Sequence, residues 1–338
     1  MEQNNNQNKR YRPLSLSGLG GVAAGNGFHE NPDTSITQAL AEAWNNGVRY
    51  FDTSPWYGLG LSERRFGHFL RNKKREEFTL STKVGRLLTP DKDFKLENGL
   101  WKGKLNFSYR YDYSAEGTRR SIEDSLQRLG LPYLDIVYIH DLSPDNEDMK
   151  ENWTKYFDEA MKGAIPELTK MREEGIIKAW GFGVNTLEPA LKAIEQADPD
   201  IFLSATQYSL IKHEEALNRL FPVCEERNIS IVVGAPLNAG FLAGVERYDY
   251  FGTFPDGVIE KRNRLLDISI KHDVDLRTAA LQFSATPKVV SAVIPGAWNA
   301  EQVFENANSF KKSIPKAFWE ELKHEKLIAE NASVPNDK

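Results

Sequence analysis

Eight short runs rich in β-branched residues recur along this chain, separated by stretches of helical spacing, and this rhythm limits the possible folds more tightly than any other feature. The runs are PLSLSGLG, VRYFDTS, FTLSTKV, LDIVYIHD, IKAWGFGVN, FLSATQYS, ISIVVGAP and VVSAVIPG. Between them, apolar residues return every three or four positions. In DTSITQALAEAWNNG, Asp33 or Thr34 is placed to cap a helix and Gly47 to end it; SAEGTRRSIEDSLQRLG is closed by Gly130. Strands joined through helical crossovers run parallel. Eight such rounds in about 285 of 338 residues fit a closed (β/α)8 barrel better than an open sheet. No low-complexity linker divides the chain. The expectation is one α/β domain, a TIM barrel over 13–330, with a flexible tail over 1–12 and a loose one over 331–338.

Charge and cysteine content remove several function classes. Against 43 Lys and Arg stand 48 Asp and Glu, a net charge of -5 at pH 7. No basic surface is therefore expected to hold a nucleic acid, whose binding rests on neutralised phosphates. A single cysteine, Cys224, excludes an intramolecular disulfide and a cysteine metal cage, and it suits a reducing compartment. The six histidines, His29, His68, His140, His213, His272 and His324, include no H-x-H or H-E-x-x-H pair, so no metal is expected. The opening MEQNNNQNKRYRP lacks the apolar centre of a signal peptide, and no run of about 18 apolar residues occurs, so a cytoplasmic protein without membrane contact is expected.

In a barrel of this kind the chemistry sits at the C-terminal ends of the strands. Those ends carry Asp52, Lys83, His140, Asn185, Gln207, Pro236 and Gly296, and Tyr57 follows in FDTSPWYGLGLSERRFGHFL just after the second run. A phenol, with a reference pKa of about 10, is a poor acid or base at neutral pH, but a nearby ammonium favours the phenolate. Lys83 is placed to lower the Tyr57 pKa and Asp52 to keep the lysine charged. His140 can hydrogen-bond either to a substrate oxygen or to the phenol. Such a set moves protons. With no G-x-S-x-G elbow and no Ser-His-Asp arrangement, it contains no nucleophile.

Proton transfer alone does not define a reaction, so a cofactor site is expected as well. GLGGVA, residues 18–23, fits the dinucleotide pattern G-x-G-x-x-A, but its context is wrong: AAGNGFHENP continues as loop where a helix should open. Its glycines are better suited to bringing backbone close to a ligand at the barrel mouth. VIPGAWNAEQVFENA offers a better phosphate site, since there the eighth strand gives way to Gly296 and then to a helix N-terminus.

Asp52, Tyr57, Lys83 and His140, together with GFGVN, TQYS, APLNAGFLAG and IPGAWNAEQVFEN, resemble an aldo-keto reductase over nearly the whole chain. Within that superfamily, YRYDYSAEGTRRSIEDSLQRLGLPYLDIVYIHD and AMKGAIPELTKMREEGIIKAWGFGVN are similar to the bacterial group of D-threo-aldose 1-dehydrogenases (L-fucose dehydrogenases), neighboured by pyridoxal 4-dehydrogenases and L-galactose dehydrogenases. The resemblance implies that Tyr57 is the general acid in reduction and the base in oxidation, tuned by Lys83. Asp52 would pair with Lys83, and His140 would orient the substrate oxygen. It also implies that Asn185 and Gln207 hold the nicotinamide carboxamide, that Tyr208 stacks on the nicotinamide ring, and that Pro236, Leu237, Gly240 and Leu242 follow the pyrophosphate. Gly296, Gln302, Glu305 and Asn306 would surround the adenosine end. Members that bind NADP usually place Lys or Arg at the eighth-strand turn, because a phosphate dianion needs a cationic partner. PGAWNAEQVFEN has neither, but it has Glu301 and Glu305, so NAD is expected to be preferred, with NADP possible.

For the substrate, Trp56 flanks Tyr57, and the long non-helical segment after Lys83 carries Trp101, Phe107, Tyr109, Tyr111 and Tyr113. Trp56, Trp101 and Tyr113 are expected to line the pocket, since aromatic faces suit the C–H face of a sugar and a pyridine ring alike. Oxidation of an aldose at C1 to the lactone is the leading expectation. Pyridoxal 4-dehydrogenase or another aldehyde or ketone reductase activity is the alternative, and a non-catalytic cofactor-binding sensor is a third.

Overall fold

A computed structural model of the chain describes residues 10–96, 99–250 and 252–335. All eight runs form strands, and they make one parallel sheet. In chain order these are β1 (Gly18–Gly20), β2 (Tyr50–Asp52), β3 (Thr79–Val84), then β6 (Ile136–His140), β7 (Ala179–Val184), β8 (Ile201–Ala205), β9 (Ser230–Gly234) and β10 (Val290–Ile294). Each pairs with the next, and the barrel closes where the Val293 N–H donates to the Leu16 carbonyl at 2.8 Å and the Gly20 N–H to the Pro295 carbonyl at 3.1 Å. Between β3 and β6 the segment without helical period contains an antiparallel hairpin, β4 (Arg86–Pro90) and β5 (Phe107–Tyr111), that lies outside the parallel rhythm.

The helices wrap the barrel: α1 (Asp33–Asn45), α2 (Leu61–Leu70), α3 (Ala115–Leu129), α4 (Trp153–Lys162), α5 (Ala164–Glu173), α6 (Glu188–Gln196), α7 (Phe221–Glu226), α8 (Val258–Lys271), α9 (Leu276–Ala285), α10 (Ala300–Ser309) and α11 (Lys316–His324). Strands covered on one side by this ring and on the other by the barrel interior are apolar along nearly their whole length. The interior is filled by Tyr50, Ile136, Tyr138, Ile201, Leu203, Val232 and Ile294. Its polar atoms are satisfied in a chain in which the Tyr50 hydroxyl bonds both Tyr138 (3.1 Å) and Ser81 (3.0 Å).

Helix ends differ from the sequence expectation at one place. Pro32, in extended conformation, precedes α1, so Asp33 is its first residue, not its cap, and Arg65 draws its carboxylate away. In α3 the Ser114 hydroxyl accepts from the Gly117 N–H, and Gly130 closes the helix in the left-handed region, φ 65°.

Described residues within both expected tails rest on the barrel. Arg10 donates to the Pro199 carbonyl at 2.8 Å and to Asp198, and the Tyr11 hydroxyl bonds Thr79 at 3.0 Å under the barrel floor. At the other end Ala332 and Val334 are buried in the main core. Of the two tails, 1–9 and 336–338 lie outside the described residues. No helix among the described residues is long and apolar enough to cross a membrane.

Candidate active site

The ends of the parallel strands open into a cavity of about 690 Å³. Asp52, Tyr57, Lys83 and His140 all line it. Asp52 ends β2 and Lys83 lies on the neighbouring β3, so parallel pairing brings the two side chains together. The Lys83 ammonium donates to Asp52 Oδ2 at 2.7 Å and to the Thr53 carbonyl at 2.8 Å, while Ser81 Oγ donates to Asp52 Oδ1 at 2.6 Å. Both partners are fully enclosed. Burial pushes the Asp52 carboxyl up and the Lys83 ammonium down, and each opposes the other's shift through their contact.

Tyr57 reaches this pair from the loop after β2. The loop is folded by Tyr57 N–H donating to the Ser54 carbonyl at 3.1 Å and by Thr53 Oγ1 bonding Ser62 Oγ at 2.8 Å. Lys83 Nζ sits 4.4 Å from the centre of the Tyr57 ring. The expected lowering of the phenol pKa does not occur in this environment. Burial dominates and holds it well above the ordinary value, with the Asp52 charge acting in the same direction. Tyr57 is therefore a neutral phenol, a proton donor at physiological pH.

His140, at the end of β6, has its ring 5.8 Å from that of Tyr57. Burial, then Lys83 and Arg86, holds its pKa well below the ordinary value, so the imidazole is neutral. Its Nδ1 lies 3.2 Å from Ser54 Oγ, which also accepts the Trp56 N–H at 3.1 Å. If the Ser54 hydroxyl gives its one proton to Nδ1, every group in this chain is satisfied, and the histidine proton is then on Nε2, able to donate to an oxygen in the cavity.

The aromatic side of the cavity is built from Trp56 and Trp101, with their rings 5.8 Å apart. Tyr113 does not line it. Fully buried behind the wall, its hydroxyl donates to the His140 carbonyl at 3.4 Å. Tyr109 lines the cavity instead, edge-on to Trp56 at 4.9 Å. Five charged wall residues were not among the expected site residues: Arg86, Asp141, Asp145, Glu147 and Asp148. Arg86, 6% exposed, lies over Trp56 and pairs with Asp141, the residue after His140, at 2.8 Å. Burial opposes the guanidinium charge, but Asp141 overrides it and raises the pKa. The sequence signal was an arginine in the turn just past Lys83 and an acid directly after the histidine.

The remaining expected residues divide. Asn185 and Gly296 line the cavity. Asn185 Nδ2 donates to Asp145 at 3.1 Å, which leaves its Oδ1 to accept, and Gln207 Nε2 donates to the Asn185 carbonyl at 2.5 Å, tying β7 to the end of β8. Tyr208 does not reach the cavity. It is 1% exposed and stacked parallel on Phe283 at 5.1 Å, so its ring face is already covered. Gly234 and Ala235, which the expectation passed over, form the wall at the end of β9, where small residues leave room for a flat ring. Pro236, Leu237 and Leu242 are buried in the turn after β9, and Gly240 holds φ 99° there. At the far end, Asn299 caps α10 through the Gln302 N–H at 2.8 Å, and Gln302 Oε1 accepts from Trp298 N–H at 3.2 Å. Glu305 forms an ion pair with Arg277 of α9, and Asn306 is buried beside it on α10. The cavity thus has aromatic residues, a proton-transfer centre and a wall of small residues, Gly234, Ala235 and Gly296, a volume and donor set that fit a nicotinamide ring, whereas Pro236, Leu237, Gly240, Leu242, Gln302, Glu305 and Asn306 are not among its lining residues. Among the described residues no cluster of His, Cys, Asp or Glu could hold a metal ion.

The profile of the Aldo/keto reductase family matches residues 18–325. D-threo-aldose 1-dehydrogenase of a Pseudomonas species is 36% identical over 92% of this chain and 94% of its own, and pyridoxal 4-dehydrogenase of Microbacterium luteolum is 36% identical over 94% and 96%. In structure, the holo form of an aldo-keto reductase from Bacillus halodurans superposes with a TM-score of 0.68 at 23% identity, covering 97% of this chain and 98% of that one, which speaks to the barrel alone.

Proposed function

The chain belongs to the aldo/keto reductase family, and from that premise we propose that it oxidises an aldose at C1 to the lactone with NAD, using Tyr57 to move the hydroxyl proton. The observation that carries this reading is the enclosed set at the strand ends: the Lys83 and Asp52 pair at 2.7 Å beneath Tyr57, with a neutral His140 across the ring. The dinucleotide, when bound, accepts or supplies the hydride. Asn185 and Gly296, which line the cavity, would hold it, with Gly234 and Ala235 giving its ring space and Gln207 fixing the Asn185 backbone from behind. His140 donates from Nε2 to the oxygen on the reacting carbon and fixes its direction. Tyr57 gives that oxygen a proton in reduction and, as phenolate, takes one in oxidation; the Lys83 charge favours the phenolate state over what burial alone would allow. Trp56 and Trp101 exclude water and present ring faces to the C–H side of a sugar.

NAD is favoured by the absence of Lys and Arg from PGAWNAEQVFEN and by Glu301 in the first turn of α10. Arg277, which approaches this helix from α9, is already paired with Glu305. Similarity to the pyridoxal enzyme gives the same site a second substrate to test. The purified protein should produce reduced nicotinamide, read by absorbance, with NAD and at least one of L-fucose, D-arabinose, L-galactose or L-glucose. Turnover of pyridoxal alone would move the substrate to the second reading, and a preference for NADP would overturn the argument from the missing cations.

A further inference from the structure

Asp141 is the acid nearest in sequence to the catalytic histidine, and its setting is unusual in three respects. Its backbone holds φ 47°, a left-handed conformation that is uphill for residues with a side chain and least so for Asp and Asn. The conformation is fixed from both sides, because the Asp141 N–H donates to the Gly183 carbonyl at 3.0 Å and its carbonyl accepts from Asn146 Nδ2 at 2.8 Å. Its Oδ2 accepts from Arg86 Nη1 at 2.8 Å, and its Oδ1 lies 3.4 Å from His140 Nε2, the atom that faces the substrate oxygen. Both side chains line the cavity, and Arg86 is itself clamped between aromatic rings, 4.5 Å from Trp56 and 5.0 Å from Tyr111.

A carboxylate can only accept hydrogen bonds, so Oδ1 recognises a donor. When the oxygen on the reacting carbon sits at His140 Nε2, the next donor within reach of Oδ1 is a hydroxyl on the neighbouring carbon, since vicinal oxygens lie about a hydrogen-bond length apart. We propose that Asp141, oriented by Arg86, binds the hydroxyl adjacent to the reacting carbon and so selects 2-hydroxy aldehydes and the sugars that contain that unit. The proposal rests on the oxidoreductase reading above and narrows its substrate class. A site that bonds a hydroxyl penalises the analogue without it, because a substrate that displaces water from the part-exposed Asp141 carboxylate leaves Oδ1 without that partner.

The test compares kcat/KM of the wild-type protein and Asp141→Asn on two matched pairs. One is the oxidation of L-fucose and of 2-deoxy-L-fucose with NAD; the other is the reduction of lactaldehyde and of propanal with NADH. Asparagine tolerates the left-handed backbone and can still accept from Arg86, so the fold is kept, as an unchanged melting temperature and unchanged quenching of protein fluorescence by NADH would verify. The wild type should favour the hydroxylated member of a pair by about tenfold or more, and the variant should cut that preference to about threefold or less by losing rate on the hydroxylated member. Equal losses on both members would make the pair a brace for the hairpin and overturn the proposal, as would a wild type that does not discriminate. Turnover of the aldehyde pair alone would contradict the aldose reading, while the ratio within that pair would still decide the role of Asp141.

Discussion

The Tyr57 phenol, enclosed beside Trp101 and against the Lys83 ammonium, keeps its proton to higher pH than a free tyrosine because burial disfavours the phenolate. The sign of the pH dependence follows. Oxidation needs the phenolate, so kcat/KM for the alcohol should keep rising with pH through the alkaline range. Reduction needs the phenol and should stay flat from roughly pH 6 to 9. His140 is held below its ordinary pKa by burial and by Lys83 and Arg86, so reduction should show no acidic limb near pH 6.5. Stopped-flow rates across that range check both limbs, and an inflection of reduction near 6.5 would show that His140 is titrating in the working enzyme. At this scale the sequence is legible where a residue ends a recognisable strand, as Asp52, Lys83 and His140 do. It is silent where a role depends on a partner from elsewhere in the chain. Arg86 and Asp141 are 55 positions apart, and Tyr208 resembles a stacking residue until Phe283 is seen lying on its face.

The turn between β2 and α2 sets where Tyr57 stands, and glycine packing makes that turn possible. Gly58, directly after Tyr57, holds φ 66°, and a Cβ there would overlap the backbone of Gly25 in the loop after β1. The following helix is anchored by the buried Glu63, which accepts from Thr82 Oγ1 at 2.7 Å on β3 and from Arg128 Nε at 2.5 Å on α3. Gly58→Ala should therefore destabilise the protein by about 2 kcal/mol or more and lower kcat more than dinucleotide affinity, because the strain falls on the catalytic loop and not on the wall of Gly234, Ala235 and Gly296. Thermal melting together with steady-state kinetics measures both, and an unchanged melting temperature would show that the turn relaxes freely. The eight strands are legible as short continuous apolar runs, and the helices between them by apolar residues returning every three or four positions. The β4 and β5 hairpin was not. RLLTP and FSYRY pair only with each other, across a connection whose length hides the register, and β5 is half exposed, so it lacks the continuous apolar character of a barrel strand.

Across the whole molecule, closure of the sheet brings together side chains that the sequence scatters from Gly20 to Gly296 around one cavity. The expected (β/α)8 architecture is the one observed, since alternation of this length leaves few other ways to bury both faces of the strands. The termini were less legible, because polar composition describes a segment's solubility and not what it rests on; Arg10 finds its acceptors at Asp198 and Pro199, some 190 positions away. The account as a whole claims that this cavity is an oxidoreductase site with Tyr57 at its centre. The most direct test is Tyr57→Phe, which removes the hydroxyl and keeps the ring packed against Trp101, measured for turnover of the best substrate and for NAD and NADH binding by fluorescence titration. The account predicts a loss in kcat of about 10² to 10⁴ with dinucleotide affinity changed by less than about threefold. A variant that turns over at the wild-type rate would contradict it.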